Sequence, residues 1–418
     1  MNFRAFLAGG ALCALLAGFS VSAFADDAKD IRILRPAAMG AAEGALDVLK
    51  RALATKGYSW KETVAEGAKD AGVLSALAKS TPAPTGALLN GFDILNLAEA
   101  GKLGDITAVA LKDEWARRLP DALQRFLFAR GRWVAAPVDI TPVNGLWVNA
   151  ELMDKIGGLE PKSFDDLFAL LDKARESGVD PLTIGNDPRE QASLFDLVLV
   201  ATSGADFYKR VFSDISETDI KSEDMKRAFD NFARLREYVD GGDAGRDGKA
   251  ATQMVVKGEA LAHAGASSTK LAFVAAGRTP GKDFRCYRFP GTDESILYDL
   301  DLIAMPLIEP SRRAAQSALA ETTMDPQVQT DASLAKAAVP ARGGIDDSPA
   351  DICQTQDRDN VKQALATGHF YGSMAYGYVQ PPTIAAAYVD VVAKFYRGEI
   401  KTSGEAAIAL LAALSTTK

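Results

Sequence analysis

The sequence predicts an α/β fold in two lobes joined by crossing strands, and three features point to it. The chain opens with a strand-then-helix unit. Ile31-Arg32-Ile33-Leu34 is short and β-prone, and a helix over 43–56 follows with Ala45, Leu46, Leu49, Ala52 and Leu53 on one stripe. The middle, Gly131–Asn149, reads GRWVAAPVDITPVNGLWVN: two β-prone runs, Trp133–Ala136 and Leu146–Asn149, flank the polar crossing Asp139–Asn144. Pro137 is expected to stop the first run, because proline cannot donate to a sheet ladder. Two strands joined by a polar crossing fit a chain that passes from one lobe to the other, with Thr141 and Asn144 facing the space between. The third feature is length: 418 residues suffice for two lobes.

Residues 1–25 read as a signal peptide. Arg4 supplies a positive start, Ala5–Phe19 is apolar and uncharged, and Ala23-Phe24-Ala25 fits the small-x-small cleavage pattern. An uncleaved anchor is the alternative, and the run is short for a membrane span. An exported chain is therefore expected. Its 47 basic and 55 acidic residues give a net charge of −8, which argues against a nucleic-acid partner. Cys13 falls within the leader. Cys286 and Cys353 remain and are expected to pair in an oxidising compartment, two buried free thiols being the alternative.

Between these landmarks the pattern alternates. A helix is expected over 68–79 and a strand at Ala87-Leu88-Leu89, with Asn90-Gly91-Phe92-Asp93 at its C-terminal end, where ligands gather in open α/β sheets. Helical pieces follow at 97–101 and 122–128. Ser163, with Asp166 three residues on, reads as an N-cap in a capping box. Ser193–Ser203 is apolar enough for a buried helix. Met225, Phe229, Phe232, Leu235 and Val239 keep helical spacing until Gly241-Gly242 breaks it. Met254–Ala262 reads as a helix leading to a strand, His263–Lys270 as a polar loop, and Ile296–Pro306 as a β-rich stretch carrying Asp299 and Asp301. Lys336–Arg342 is a turn, and 383–414 is two helices.

At this point the residues carry a resemblance. Gly91-Phe92-Asp93-Ile94, Leu194-Phe195-Asp196, Asp206-Phe207-Tyr208-Lys209, Gly245-Arg246-Asp247, Val256-Lys257-Gly258-Glu259, Phe289-Pro290-Gly291-Thr292, Val339-Pro340-Ala341-Arg342 and the pair Cys286/Cys353 stand in the order found in bacterial extracellular solute-binding proteins of the sugar class. The chain most resembles the glucose/mannose-binding branch of these ABC-importer receptors. The resemblance implies a periplasmic-binding-protein-like α/β fold, two lobes with a ligand cleft between them. It also implies a carbohydrate-like solute, ABC permease subunits as partners, a monomer that works by hinge closure, and no cofactor. The expected organisation is a leader at 1–25, a mainly N-terminal lobe at 26–140, a mainly C-terminal lobe at 141–300, and a return to both lobes over 301–418.

The departures lie on the ligand-facing positions. That branch stacks its sugar on tryptophans, since an aromatic face suits the C–H face of a pyranose. Here Pro36-Ala37, Gly145, Arg189 and Gly248 stand where the branch has aromatic residues, and Thr141 and Tyr376 stand where it has histidines. Asn144, Asp301 and Lys336 are retained. Ligand-binding residues are expected to be Arg35, Asn90, Thr141, Asn144, Arg189, Asp301, Lys336 and Tyr376. Two versions of the site follow: an anionic solute held by Arg35, Arg189 and Lys336, or a neutral one held by Thr141, Asn144, Asp301 and Tyr376. The chain has no HExxH, GxSxG, P-loop or CxxC, and its two histidines lack metal-ligand spacing. No enzyme and no metal are expected. The competing reading is a periplasmic sensing or partner protein whose rebuilt site no longer feeds a transporter.

Overall fold

A computed structural model describes residues 28–67, 69–239, 245–345 and 349–415. The leader at 1–25 and the Gly241-Gly242 break lie outside these residues. Strand β1 (Asp30–Pro36) leads to α1 (Ala42–Thr55), edge strand β2 (Ser59–Ala65), α2 (Lys69–Lys79), β3 (Gly86–Leu88) and α3 (Gly91–Glu99). A small hairpin, β4 (Phe128–Ala129) and β5 (Arg132–Trp133), precedes β6 (Ala135–Pro142) and β7 (Gly145–Asn149). Next come α4 (Phe164–Glu176), β8 (Asp180–Thr183), α5 (Pro188–Ser203), α6 (Glu223–Arg236), α7 (Gly248–Lys257), β9 (Ala260–Gly265), β10 (Phe284–Arg288) and β11 (Ile296–Ala304). The last part holds α8 (Arg313–Thr323), α9 (Pro326–Lys336), β12 (Val339–Pro340), α10 (Ile352–Thr367), β13 (Phe370–Gly372), α11 (Pro382–Tyr396) and α12 (Ser403–Ser415).

Two sheets form. The first runs β12-β6-β11-β3-β1-β2, with β13 beside the start of β11; the second runs β10-β7-β9-β8. Ile31, Ile33 and Leu34 are fully buried, as suits an interior parallel strand. Its neighbour β2 exposes most of its residues, and this is why its sequence carries no apolar alternation and gives no strand signal. Each sheet anchors its own core. Ile140 belongs to the first core and Val143 to the second; on the return, Leu297 belongs to the second and Tyr298 to the first. The chain crosses once more near 370–378: Phe370 and Tyr378 sit in the first core, Met374 and Ala375 in the second.

The crossing strands correct one expectation. Pro137 does not end a strand; β6 runs through it to Pro142. The antiparallel register with β11 slips by one residue between Asp301 and Leu302, so Pro137 lies beside a bulge, where a missing donor is tolerated. His263 likewise lies within β9, not in a loop, paired with Trp147. The capping box at Ser163 forms as expected, with Asp166 N donating to Ser163 Oγ at 3.1 Å and Ser163 N to Asp166 Oδ2 at 3.0 Å. Cys286 and Cys353 are disulfide-bonded. The bond ties β10 of the second sheet to α10, whose Val361 and Ala364 pack in the first core.

Candidate functional site

The C-terminal ends of β1 and β3 open towards the second lobe. Pro36, Leu88, Leu89 and Asn90 from these ends, Asp299 and Asp301 from β11, Arg189 from the first turn of α5, and Tyr376 and Tyr378 from the third crossing line one cavity between the lobes. It leaves about 40 Å³ open to a water-sized sphere. A larger cavity, about 400 Å³, lies on the first lobe beside Arg342 and Leu365, reaching Ile140 of β6.

Among the described residues, Tyr376 is the one partly buried apolar side chain packed against both cores. Its backbone is slung between the lobes. From the first lobe, Asn90 Nδ2 donates to the Tyr376 carbonyl at 3.3 Å and to that of Gly377 at 3.2 Å. On the second lobe, Tyr376 N donates to Ser373 Oγ, which in turn donates to the buried Asp196 at 2.7 Å. Asp196 also accepts from Ala375 N at 3.1 Å and from the Tyr388 hydroxyl at 2.6 Å. Burial holds its carboxyl up, at about 6.

Under this cavity lies a buried charge cluster. Asp139 and Asp301 are register partners on β6 and β11, and Asp299 is opposite Thr141. Lys336, at the end of α9, donates to Asp139 Oδ1 at 2.8 Å and to Asp301 Oδ2 at 2.7 Å. Burial disfavours the lysine charge, but Asp139, Asp301 and Asp299 more than offset it, so the ammonium stays protonated. Burial raises Asp139 to about 7 against the pull of Lys336. The Thr141 hydroxyl also donates to Asp139 Oδ1, while Asp139 Oδ2 is buried without a hydrogen bond.

The expected ligand residues therefore separate. Arg189, Asp301, Asn90 and Tyr376 line the cavity. Arg35 does not: its guanidinium turns along the sheet to Glu62 on β2, the strand the sequence concealed. Thr141 and Asn144 are buried, not turned to open space. The Asn144 amide is occupied in joining the crossings: Oδ1 accepts from Leu297 N at 2.7 Å and Nδ2 donates to the Ser295 carbonyl at 3.4 Å. Asn90 also caps α3, accepting from Phe92 N at 3.0 Å. Lys336 lies beneath the cavity and is engaged by two carboxylates. The three cations of the anionic version thus do not converge.

Sequence reasoning missed Asp139, Asp299 and Glu190. The first two stand in the crossing stretches and alternate with apolar residues, which was a usable signal. Glu190 gave none. Its Oε2 accepts from Gly185 N at 3.2 Å, and a Cβ at Gly248 would sit on its Oε1. Burial, then Asp187 and Asp247, push Glu190 up to about 7. Gly145 is similarly fixed: a Cβ there would strike the Gly265 carbonyl and Trp147.

Two α/β lobes, crossed by the chain and enclosing a polar cleft around a shared tyrosine, define a solute-binding receptor of the periplasmic-binding type. The chain belongs to the bacterial extracellular solute-binding protein family, whose pattern matches residues 62–300. It is 44% identical over 408 residues, spanning 97% of this chain and 98% of the other, to a Mesorhizobium japonicum protein described as a probable sugar-binding periplasmic protein. A Rhizobium meliloti protein of the same description is 36% identical, over 99% of this chain and 100% of its own length. Among solved structures, a chitin oligosaccharide binding protein superposes with a TM-score of 0.76 at 16% identity, covering 92% of this chain and 98% of that one. The receptor AcbH, described as preferring β-D-galactopyranose, gives 0.75 at 17%, covering 92% and 97%. These likenesses establish the fold. Among the described residues no helix is long and apolar enough to cross a membrane.

Proposed function

We propose that the chain is a periplasmic receptor that captures a carbohydrate between its lobes and delivers it, closed, to the membrane subunits of an ABC importer. The observation that carries this reading is Tyr376, packed against both cores and hung from Asn90 on one side and Ser373 on the other. The relatives described as sugar-binding periplasmic proteins support the ligand class and the compartment. The cavity volume supports a moving hinge. About 40 Å³ is far below the roughly 300–1,000 Å³ of small-molecule sites, so the lobes part to admit a sugar and close on it. Arg189, Asp299, Asp301 and Tyr376 act as binding groups, and the cleft binds without catalysis.

The test is a thermal-shift panel of neutral monosaccharides and oligosaccharides on the mature chain, followed by transport of labelled sugar in a strain lacking the gene. A ligand that binds only the folded protein raises its melting point, by an amount equivalent to about 2.7 kcal/mol at one hundred times Kd. A flat panel at millimolar sugar, or unchanged uptake of the binding sugar, overturns the reading.

A further inference from the structure

Glu190 stands next to Arg189 in the first turn of α5. With Ser193, Leu194, Gly265 and Tyr376 it lines a small recess on the second-lobe side of the cleft, Tyr376 being shared with the main cavity. The space its carboxyl fills is not incidental. Gly185 and Gly248 flank it from two other elements, and a Cβ at either would collide with a carboxyl oxygen. A bulky side chain at 248 and a carboxyl at 190 are thus mutually exclusive, and this chain holds the carboxyl.

The charges around the cleft can be counted. Asp299 and Asp301 line it from the first lobe, Glu190 stands on the second, and Arg189 is the cation that lines it. Lys336 is already divided between Asp139 and Asp301. Among the described residues that line the cleft, these three carboxylates outnumber the one arginine, although the arginine substitution taken alone suggests the reverse. The Tyr376 phenol reports the same field: burial, then Asp299 and Glu190, raise its pKa, and Arg189 opposes them.

From this arrangement we infer that Glu190 is a specificity-determining residue: it accepts a hydrogen bond from the bound solute, so that the cleft favours sugars presenting hydroxyl or, best, ammonium donors and rejects sugar acids. The inference rests on the cleft being the solute site. A charge-assisted bond from an ammonium to a carboxylate is stronger than one from a neutral hydroxyl. A second carboxylate brought into the same space is repelled at short range.

Calorimetry at pH 7.5, above the value of about 7 to which burial lifts Glu190, tests it on the mature chain with matched neutral, 2-amino and uronic acid forms of glucose, galactose and mannose. In the series whose neutral sugar binds, the amino form is expected to bind at least tenfold tighter and the acid form at least tenfold weaker. Glu190→Gln, close in shape, is expected to erase the amino preference and narrow the gap to the acid while leaving the melting point of the free protein near wild type. Gly248→Ala, which displaces the carboxyl without removing it, is expected to do the same. An acid form bound as tightly as the neutral sugar, or an unchanged ratio in Glu190→Gln, overturns the inference and leaves the receptor reading intact. Failure of every sugar in the broader panel removes both.

Discussion

Asp139 and Asp301 stand directly opposite each other on the antiparallel crossing strands, with the Lys336 ammonium 2.8 Å from one and 2.7 Å from the other. Like charges paired across a ladder destabilise it, so one lysine, brought by a helix of the first lobe, makes this strand pairing tolerable. Removing it breaks the ion pair that both carboxylates share, and Asp139 is fully buried. Lys336→Met is expected to lose about 3–5 kcal/mol of stability, the range for breaking a buried ion pair from one side. Asp139→Asn in the same background is expected to restore part of it. Urea unfolding of the wild type and the two variants checks both.

Asp196 anchors the third crossing. Its loss strands the donors Ser373 Oγ, Ala375 N and the Tyr388 hydroxyl. Asp196→Ala is expected to cost about 3 kcal/mol or more, since hydrogen bonds to a charged group contribute roughly 1.5–3 kcal/mol each. Because Tyr376 hangs from Ser373, affinity for any bound sugar is expected to fall as well, read by calorimetry on the folded variant.

His263 is buried in β9, its Nδ1 3.1 Å from the Thr183 carbonyl. Burial lowers its pKa from 6.5 to about 4. The folded state therefore binds fewer protons than the unfolded state between these values. Stability from this group is full above pH 6.5 and is lost as pH falls towards 4, by on the order of 3 kcal/mol. Asp139, Glu190 and Asp196 have raised pKa values and work in the opposite sense, so the contribution is isolated by difference. Melting curves from pH 4 to 7.5 are expected to show a smaller acid loss for His263→Gln than for the wild type.

The disulfide spans 67 residues of sequence. By loop entropy its removal costs about 4 kcal/mol. A Cys286→Ser, Cys353→Ser double variant is expected to approach this loss in urea, and a reducing agent is expected to shift the wild type in the same direction.

The sequence revealed the lobes better than the cleft. Periodic helices such as α6, the capped start of α4 and the apolar crossing runs are local patterns. They predict elements because burial on one face dictates spacing. Strand β2 gave no signal because most of it faces solvent, and missing it also misplaced Arg35, whose partner Glu62 lies there. Thr141 and Asn144 looked ligand-facing because they are polar within a crossing, yet the Thr141 hydroxyl is spent on Asp139 of its own strand and the Asn144 amide on joining the crossings. Lys336 and its partner Asp139 are 197 residues apart, and nothing in the spacing shows that the lysine is engaged. Room left by Gly185 and Gly248 for a carboxyl from a third element is likewise a property of three-dimensional packing.

The interleaving of the two cores also sets when this polypeptide becomes a folded object. The first sheet takes β12 and β13 from beyond residue 338, and the second core takes α11 and α12 from the final stretch. A chain that has emerged only as far as residue 300 can close neither core, and pairings this distant in sequence form slowly. Until its last quarter is available such a protein stays an open thread, accessible to chaperones and proteases alike.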